Sequence, residues 1–170
     1  MNQTPKAAVI MGSDSDYNTV KPALKILKKF GVSFEVHVMS AHRTPDDAAE
    51  FAKNAEASGI DIIIAAAGKA AHLPGVLAAF TILPVIGLPI KSSTLDGLDS
   101  LLSIVQMPKG IPVATVALDG ADNAGILAVQ ILAGKYEALK AQLREFKSQM
   151  AQEVREKDAA LQQKIKEELI

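Results

Sequence analysis

Three short stretches hold residues able to do chemistry at close spacing. "GSDSD" at 12–16 places two hydroxyls and two carboxylates behind a glycine. "SAHRTPD" at 40–46 sets a histidine beside an arginine, framed by Ser40 and Thr44. "GKAAHLPG" at 68–75 holds a second histidine among small and apolar residues. In the first stretch, Gly12 permits a tight turn. Ser13 and Ser15, with the free N–H groups of a helix start, suit a phosphate. Asp16 suits a pair of sugar hydroxyls, because a carboxylate accepts from both. One of these residues can equally cap the helix. His42 can take and give a proton near neutral pH as a general acid or base, or it can fill a turn. Arg43 can clamp a phosphate or carboxylate through two parallel N–H bonds, or pair with Asp46 or Asp47 at the surface. His72 can approach a ligand in a loop of small residues, or cap a helix. Lys69 can draw in an anion or stay solvated. The third histidine, His37, alternates within a strand and reads as structural.

Other chemistries lack their residues. The 170-residue chain has no cysteine, which removes disulfides, thiolate nucleophiles and sulfur metal sites together. The histidines stand apart from any cluster at ligand spacing, so no metal is expected. Neither G-x-G-x-x-G nor G-x-x-x-x-G-K-[ST] is present, and "GSDSD" is not the G-x-S-x-G elbow of a hydrolase. A formal net charge of −1 offers no bulk attraction to nucleic acid or anionic membrane. No segment approaches the ~20 apolar residues of a membrane span. The start, "MNQTPKAAVIMG", shows no signal-peptide run. A cytoplasmic protein is expected.

Positioning these stretches falls to an alternation of strands and helices. The apolar runs are "AAVIMG" (7–12), "FEVHVMS" (34–40), "DIIIAAAG" (61–68), "PVIGLPI" (84–90) and "PVATVAL" (112–118). Three are apolar nearly throughout, as strands covered on both faces should be. "FEVHVMS" alternates more and is expected towards an edge. Val20, Ala23, Leu24, Leu27 and Phe30 recur at helical spacing, and Pro22 predicts a late start that puts the proline in the first turn. Thr44 is the expected N-cap of the next helix, with Pro45 first and Asp47 third, close to a capping box. "GLDSLLSIVQ" and "NAGILAVQIL" read as two more helices. Such alternation in one domain implies an α/β fold, with a parallel sheet, right-handed crossovers and helices on both faces. Ligands bind such sheets at the loops that follow the strands' carboxyl ends. Those loops are the three stretches above together with "KSSTLDG" (91–97) and "DGADNAG" (119–125), so His42 and His72 share one edge.

From Lys135 onward Gly and Pro vanish and charge rises. Tyr136, Leu139, Leu143, Phe146, Met150 and Val154 form a stripe at spacings of three and four, resumed by Leu161, Ile165 and Leu169. This predicts one long amphipathic helix or a pair, packed on its own domain or on a neighbouring subunit. The expected organisation is a catalytic domain over 1–134 and a helical extension over 135–170.

"MGSDSD", "VMSAHRTPD", "AAHLPG", "GLDSLLSIVQMP" and "GIPVATVAL" occur in this order. Together they resemble the N5-carboxyaminoimidazole ribonucleotide mutase family of purine biosynthesis, over about residues 7–133. The resemblance implies a flavodoxin-like three-layer α/β/α sandwich assembled as a homo-octamer. It implies transfer of a carboxylate from the exocyclic nitrogen of aminoimidazole ribonucleotide to ring carbon C4. The expected partners are that ribonucleotide and transient CO2, with no metal, biotin or nucleotide cofactor. Ser13 and Asp16 fall on the family's substrate-binding positions and Arg43 on its nucleotide-binding arginine. His42 falls on its general acid/base, and Ser40, Gly68 and His72 lie in motifs lining the same pocket. Lys69 departs from the family's usual glycine, which keeps direct carboxylation of the ribonucleotide by CO2 as the alternative. A receiver-type regulatory module is disfavoured because the third strand ends in Ala-Ala-Ala-Gly, with no aspartate to phosphorylate.

Overall fold

Alternate residues of the central strands serve two separate cores. In the computed structural model, which describes residues 4–169, Val9, Met11, Ile62, Ile64, Ala66, Ile86 and Leu88 face one way. Ala8, Ile10, Ile63, Ala65, Ala67 and Val85 face the other. Residues 1–3 and 170, the outermost ends of the two expected segments, lie outside the described residues. The strands are β1 (Lys6–Met11), β2 (Ser33–Val38), β3 (Ile62–Gly68), β4 (Val85–Ile90) and β5 (Ala114–Thr115). All pairings are parallel, in the order β2-β1-β3-β4-β5. Ile62 to Ala67 are buried without interruption, as a strand with helices on both faces requires. "FEVHVMS" forms the edge strand β2, as its alternation predicts.

The helices are α1 (Tyr17–Lys29), α2 (Pro45–Asn54), α3 (Leu73–Phe80), α4 (Leu98–Val105), α5 (Ala121–Leu132) and α6 (Ala138–Leu169). Helices α1 and α5 cover the Val9 face, and α2, α3 and α4 cover the Ile10 face. The two helices on the Val9 face approach closely at Gly125, where a Cβ would stand 2.8 Å from Ile26 Cβ and 3.0 Å from the Ala23 carbonyl. The whole is a flavodoxin-like three-layer sandwich, and its strand order reverses between β1 and β3.

Three local expectations are corrected. Helix α1 does not start late. It begins at Tyr17, directly after a 3-10 turn at Asp14–Asp16, so Pro22 lies beyond its first turn. The carbonyl robbed of its partner belongs to Asn18, which is exposed and can bond water instead. The fifth run ladders over only Ala114–Thr115, not 112–118. Beyond it the chain stays close to β4, with Val116 N donating to Gly87 O (3.1 Å) and Asp119 N to Pro89 O (2.9 Å). Pro89 has no N–H to return, which interrupts the ladder. Thr44 occupies the N-cap position of α2, but its hydroxyl makes no capping bond and no capping box forms. It closes the preceding loop instead, as described below.

The tail is one helix. Leu139 is buried in the Val9-face core, and Leu143 and Phe146 pack against it, with Phe146 edge-on to Phe30 at 5.6 Å between ring centres. Further along, Met150, Val154, Leu161 and Leu169 are exposed. The junction before α6 is tied to the sheet through Asp61, just ahead of β3. Its carboxylate accepts from Lys6 N (3.0 Å), Lys135 Nζ (2.7 Å) and Tyr136 Oη (2.9 Å). Burial alone would raise this carboxyl, but the three donors together hold it below its ordinary value.

Candidate active site

The parallel register brings the carboxyl ends of β1 to β4 to one edge, and the loops leaving them enclose a cleft of about 680 Å³. From the β1 loop come Gly12, Ser13, Ser15 and Asp16; from the β2 loop, Ser40, His42 and Arg43; from the β3 loop, Gly68 and Lys69. The cleft lies beside the reversal between β1 and β3, where this topology leaves the crevice between neighbouring crossovers open.

Each loop is held by local bonds. Ser13 Oγ accepts from Ser15 N (3.3 Å) and from Ser15 Oγ (2.8 Å), so Ser13 caps the 3-10 turn while still facing the cleft. In the β2 loop, Thr44 Oγ1 accepts from Ser40 N (3.0 Å) and donates to Ser40 O (3.2 Å). Ser40 Oγ in turn accepts from Arg43 N at 3.2 Å. These bonds fold residues 40–44 back on themselves and present His42 and Arg43 outward. Arg43 reaches the neighbouring β1 loop, where Nη2 donates to Gly12 O at 3.4 Å, and it pairs with neither Asp46 nor Asp47. That leaves most of its donors free for an anion.

The two histidines meet. His42 Nε2 lies 2.8 Å from His72 Nδ1, with the rings edge to face at 4.9 Å between centres. His72 stands at the N-cap of α3 but makes no capping bond there. At this distance one nitrogen donates and the other accepts, so the contact can carry a proton from ring to ring. Asp16 is partly buried, which raises its carboxyl above the ordinary value. The Ser15 hydroxyl pulls it down, and the charges of Asp14 and Asp119 push it up again.

A family model described as AIR carboxylase matches residues 6–153. The chain belongs to the AIR carboxylase family. It is 57% identical to the N5-carboxyaminoimidazole ribonucleotide mutase of Thermotoga maritima over 159 residues, covering 94% of this chain and 93% of that one. It is 54% identical to the enzyme of that name from Mycobacterium leprae, covering 95% of each. A 54% match over 155 residues to the phosphoribosylaminoimidazole carboxylase of Schizosaccharomyces pombe spans only 28% of that longer protein. Among solved structures, Treponema denticola PurE superposes with a TM-score of 0.83 at 28% identity, over 92% of this chain and 98% of that one.

In this AIR carboxylase chain, every site residue expected from sequence reaches the cleft or, for His72, touches a residue that does. Sequence reasoning singled out no residue of the β4 loop, yet Lys91, Ser92 and Ser93 line the same cleft. The signal was a lysine and two hydroxyls directly after a strand. Lys91 Nζ is held by Asp96 at 2.7 Å, and its N–H donates to Asp119 Oδ1 at 2.9 Å. Lys69 has φ +56°, a left-handed backbone that favours glycine. Holding a lysine there costs on the order of 1 kcal/mol. Among the described residues no three His, Asp or Glu side chains are grouped to hold a metal ion, and no helix is long and apolar enough to cross a membrane.

Proposed function

We propose that this chain moves a carboxylate from N5 to C4 of aminoimidazole ribonucleotide, as a cytoplasmic homo-octamer working without metal or organic cofactor. The observation that carries the proposal is the 2.8 Å contact between His42 and His72 at a cleft that also holds Ser13, Ser15, Asp16 and Arg43, in a chain of this family. The substrate needs an anion cradle, a diol acceptor and a proton carrier. Ser13, Ser15 and Arg43 meet the first need, Asp16 the second and His42 the third. Ser40 shapes the loop that carries Arg43, and Gly68 brings backbone close to the ligand.

The reaction balances with one proton. The N5–carboxylate bond breaks, CO2 departs, and His42 gives its proton to N5. The electron-rich C4 then attacks the carbon of CO2 and forms the new C–C bond. His42 takes the proton from C4, which restores the aromatic ring and the acid. One group acting first as acid and then as base is work suited to an imidazole. Holding CO2 between the steps keeps the second step effectively intramolecular, which removes an entropic barrier. Replacing His42 by Asn is expected to lower kcat by roughly 10²–10⁴-fold while leaving substrate binding within a few fold. Near-normal turnover would remove His42 from the mechanism.

A second reading, direct carboxylation of the ribonucleotide by CO2, has the Schizosaccharomyces relative's name behind it. Carboxyl-labelled carbamate separates the two. Label retained at C4 without exchange into bulk bicarbonate supports the mutase. Turnover only of the uncarboxylated ribonucleotide with bicarbonate supports the carboxylase.

A further inference from the structure

Lys69 combines three properties. It lines the cleft. Its backbone is held at φ +56°, where lysine gains no local hydrogen bond of the kind that eases Asn or Asp into this region. Its ammonium has no carboxylate within ion-pair distance among the described residues, whereas Lys91 beside it is neutralised by Asp96. A strained lysine that lines the cleft and has no carboxylate partner among the described residues is suited to an anionic partner from outside the chain.

Topology says which anion. The sheet order puts the β2 loop on one side of the β1 loop and the β3 loop on the other. Arg43 and Lys69 therefore flank "GSDSD" from opposite sides, an arrangement matched to a ligand with two separate anionic groups. Arg43 reaches Gly12, at the start of the Ser13–Ser15 cradle. Lys69 sits three residues before His72, on the loop whose end meets His42. We infer that Lys69 holds the migrating carboxylate and that Arg43, with the serines, holds the phosphate. This assignment rests on the mutase reading.

The charge bookkeeping of the reaction predicts a particular kinetic signature. The group is an anion in substrate and product but a neutral molecule as CO2. A cation on it stabilises both ends of the reaction more than the middle, so it lowers KM without raising kcat. Steady-state kinetics of Lys69→Asn and Lys69→Gly test this, since both residues tolerate the left-handed backbone. KM for the carbamate should rise roughly 5- to 50-fold with kcat undiminished, and Lys69→Arg should restore most of the loss. Inhibition by aminoimidazole ribonucleotide, which has the phosphate but no carboxylate, should be unchanged in every variant. An unchanged KM, a loss of kcat at constant KM, or a parallel weakening of that inhibitor would each overturn the assignment. Wild-type turnover separates this from the function itself. An enzyme inactive on the carbamate sinks both readings, whereas an active one with unaltered variants sinks only the role of Lys69.

Discussion

The proton that the proposed reaction moves twice has a natural resting place in the 2.8 Å gap between His42 Nε2 and His72 Nδ1. His72 can hand a proton to His42 or take one from it across this contact, one ring nitrogen donating and the other accepting. Asp16 adds a testable titration. Its native carboxyl titrates above the ordinary value of 3.8 because burial disfavours its charge. A carboxyl whose native value exceeds its unfolded one adds stability while protonated, and that contribution is lost as pH rises through the native value. At neutral pH the charged Asp16 is therefore a burden on the fold, one that the proposed binding of the ribose accounts for. Asp16→Asn should raise Tm at pH 7 and raise KM by at least about tenfold, since a good acceptor of two hydroxyls is lost. In the wild type, KM should begin to climb on acidification at a higher pH than an ordinary aspartate would impose. A variant with unchanged KM would show that Asp16 does not hold substrate. At this scale, residue type and neighbours announced His42, Arg43, Ser13 and Asp16. They could not announce the His42–His72 contact, because its partners lie thirty positions apart and meet only when β2 and β3 take their places in the sheet.

Elements carry the site by their register, and they were the most legible level where burial acts on every residue of a run. Strand β3 is apolar throughout because both its faces are covered. Legibility failed where one local bond outweighs a pattern. Thr44 reads as a cap, yet its hydroxyl bonds Ser40 two ways and shapes the loop that carries His42 and Arg43 instead. Pro22 reads as a first-turn residue, yet an exposed carbonyl costs little to orphan. Asp61 went unnoticed, although it joins β1, β3 and the start of the tail. Its native carboxyl lies below 3.8, so folding releases a proton in that range. The stability it contributes is present above 3.8 and disappears as pH falls from there through the lower native value. Asp61→Asn should cost about 1–3 kcal/mol at pH 7 and flatten the acid limb of the stability curve. Denaturant titrations across pH 2.5–7 check this (the span set to bracket ~3.8). Equal losses at every pH would mean that charge is not what Asp61 contributes.

At the scale of the whole molecule, the tail is the feature that one chain does not explain. Helix α6 runs through thirty-two residues, but its own domain covers only the first part of its apolar stripe. Val154, Leu161 and Leu169 are at least half exposed. An apolar stripe of this kind calls for a partner, and the proposed octamer supplies copies of the same chain. Light scattering should give an octamer of the 17.9 kDa chain. Deleting residues 151–170 should leave each protomer folded, because residues 151–169 are nearly all exposed, and should lower the mass or the Tm of the assembly. An unchanged octamer with an unchanged Tm would show that the stripe faces water.

The position of Asp61 sets how freely that tail can change. Asp61 sits at the amino end of β3, whereas Gly68 and the cleft sit at its carboxyl end. About 20 Å of stiff, doubly covered strand separates them. A change at the junction before α6 pulls on the far end of that strand, against the node that Asp61 makes with Lys6, Lys135 and Tyr136. Substitutions at Lys135 or Tyr136 therefore meet the sheet at the end remote from the histidines.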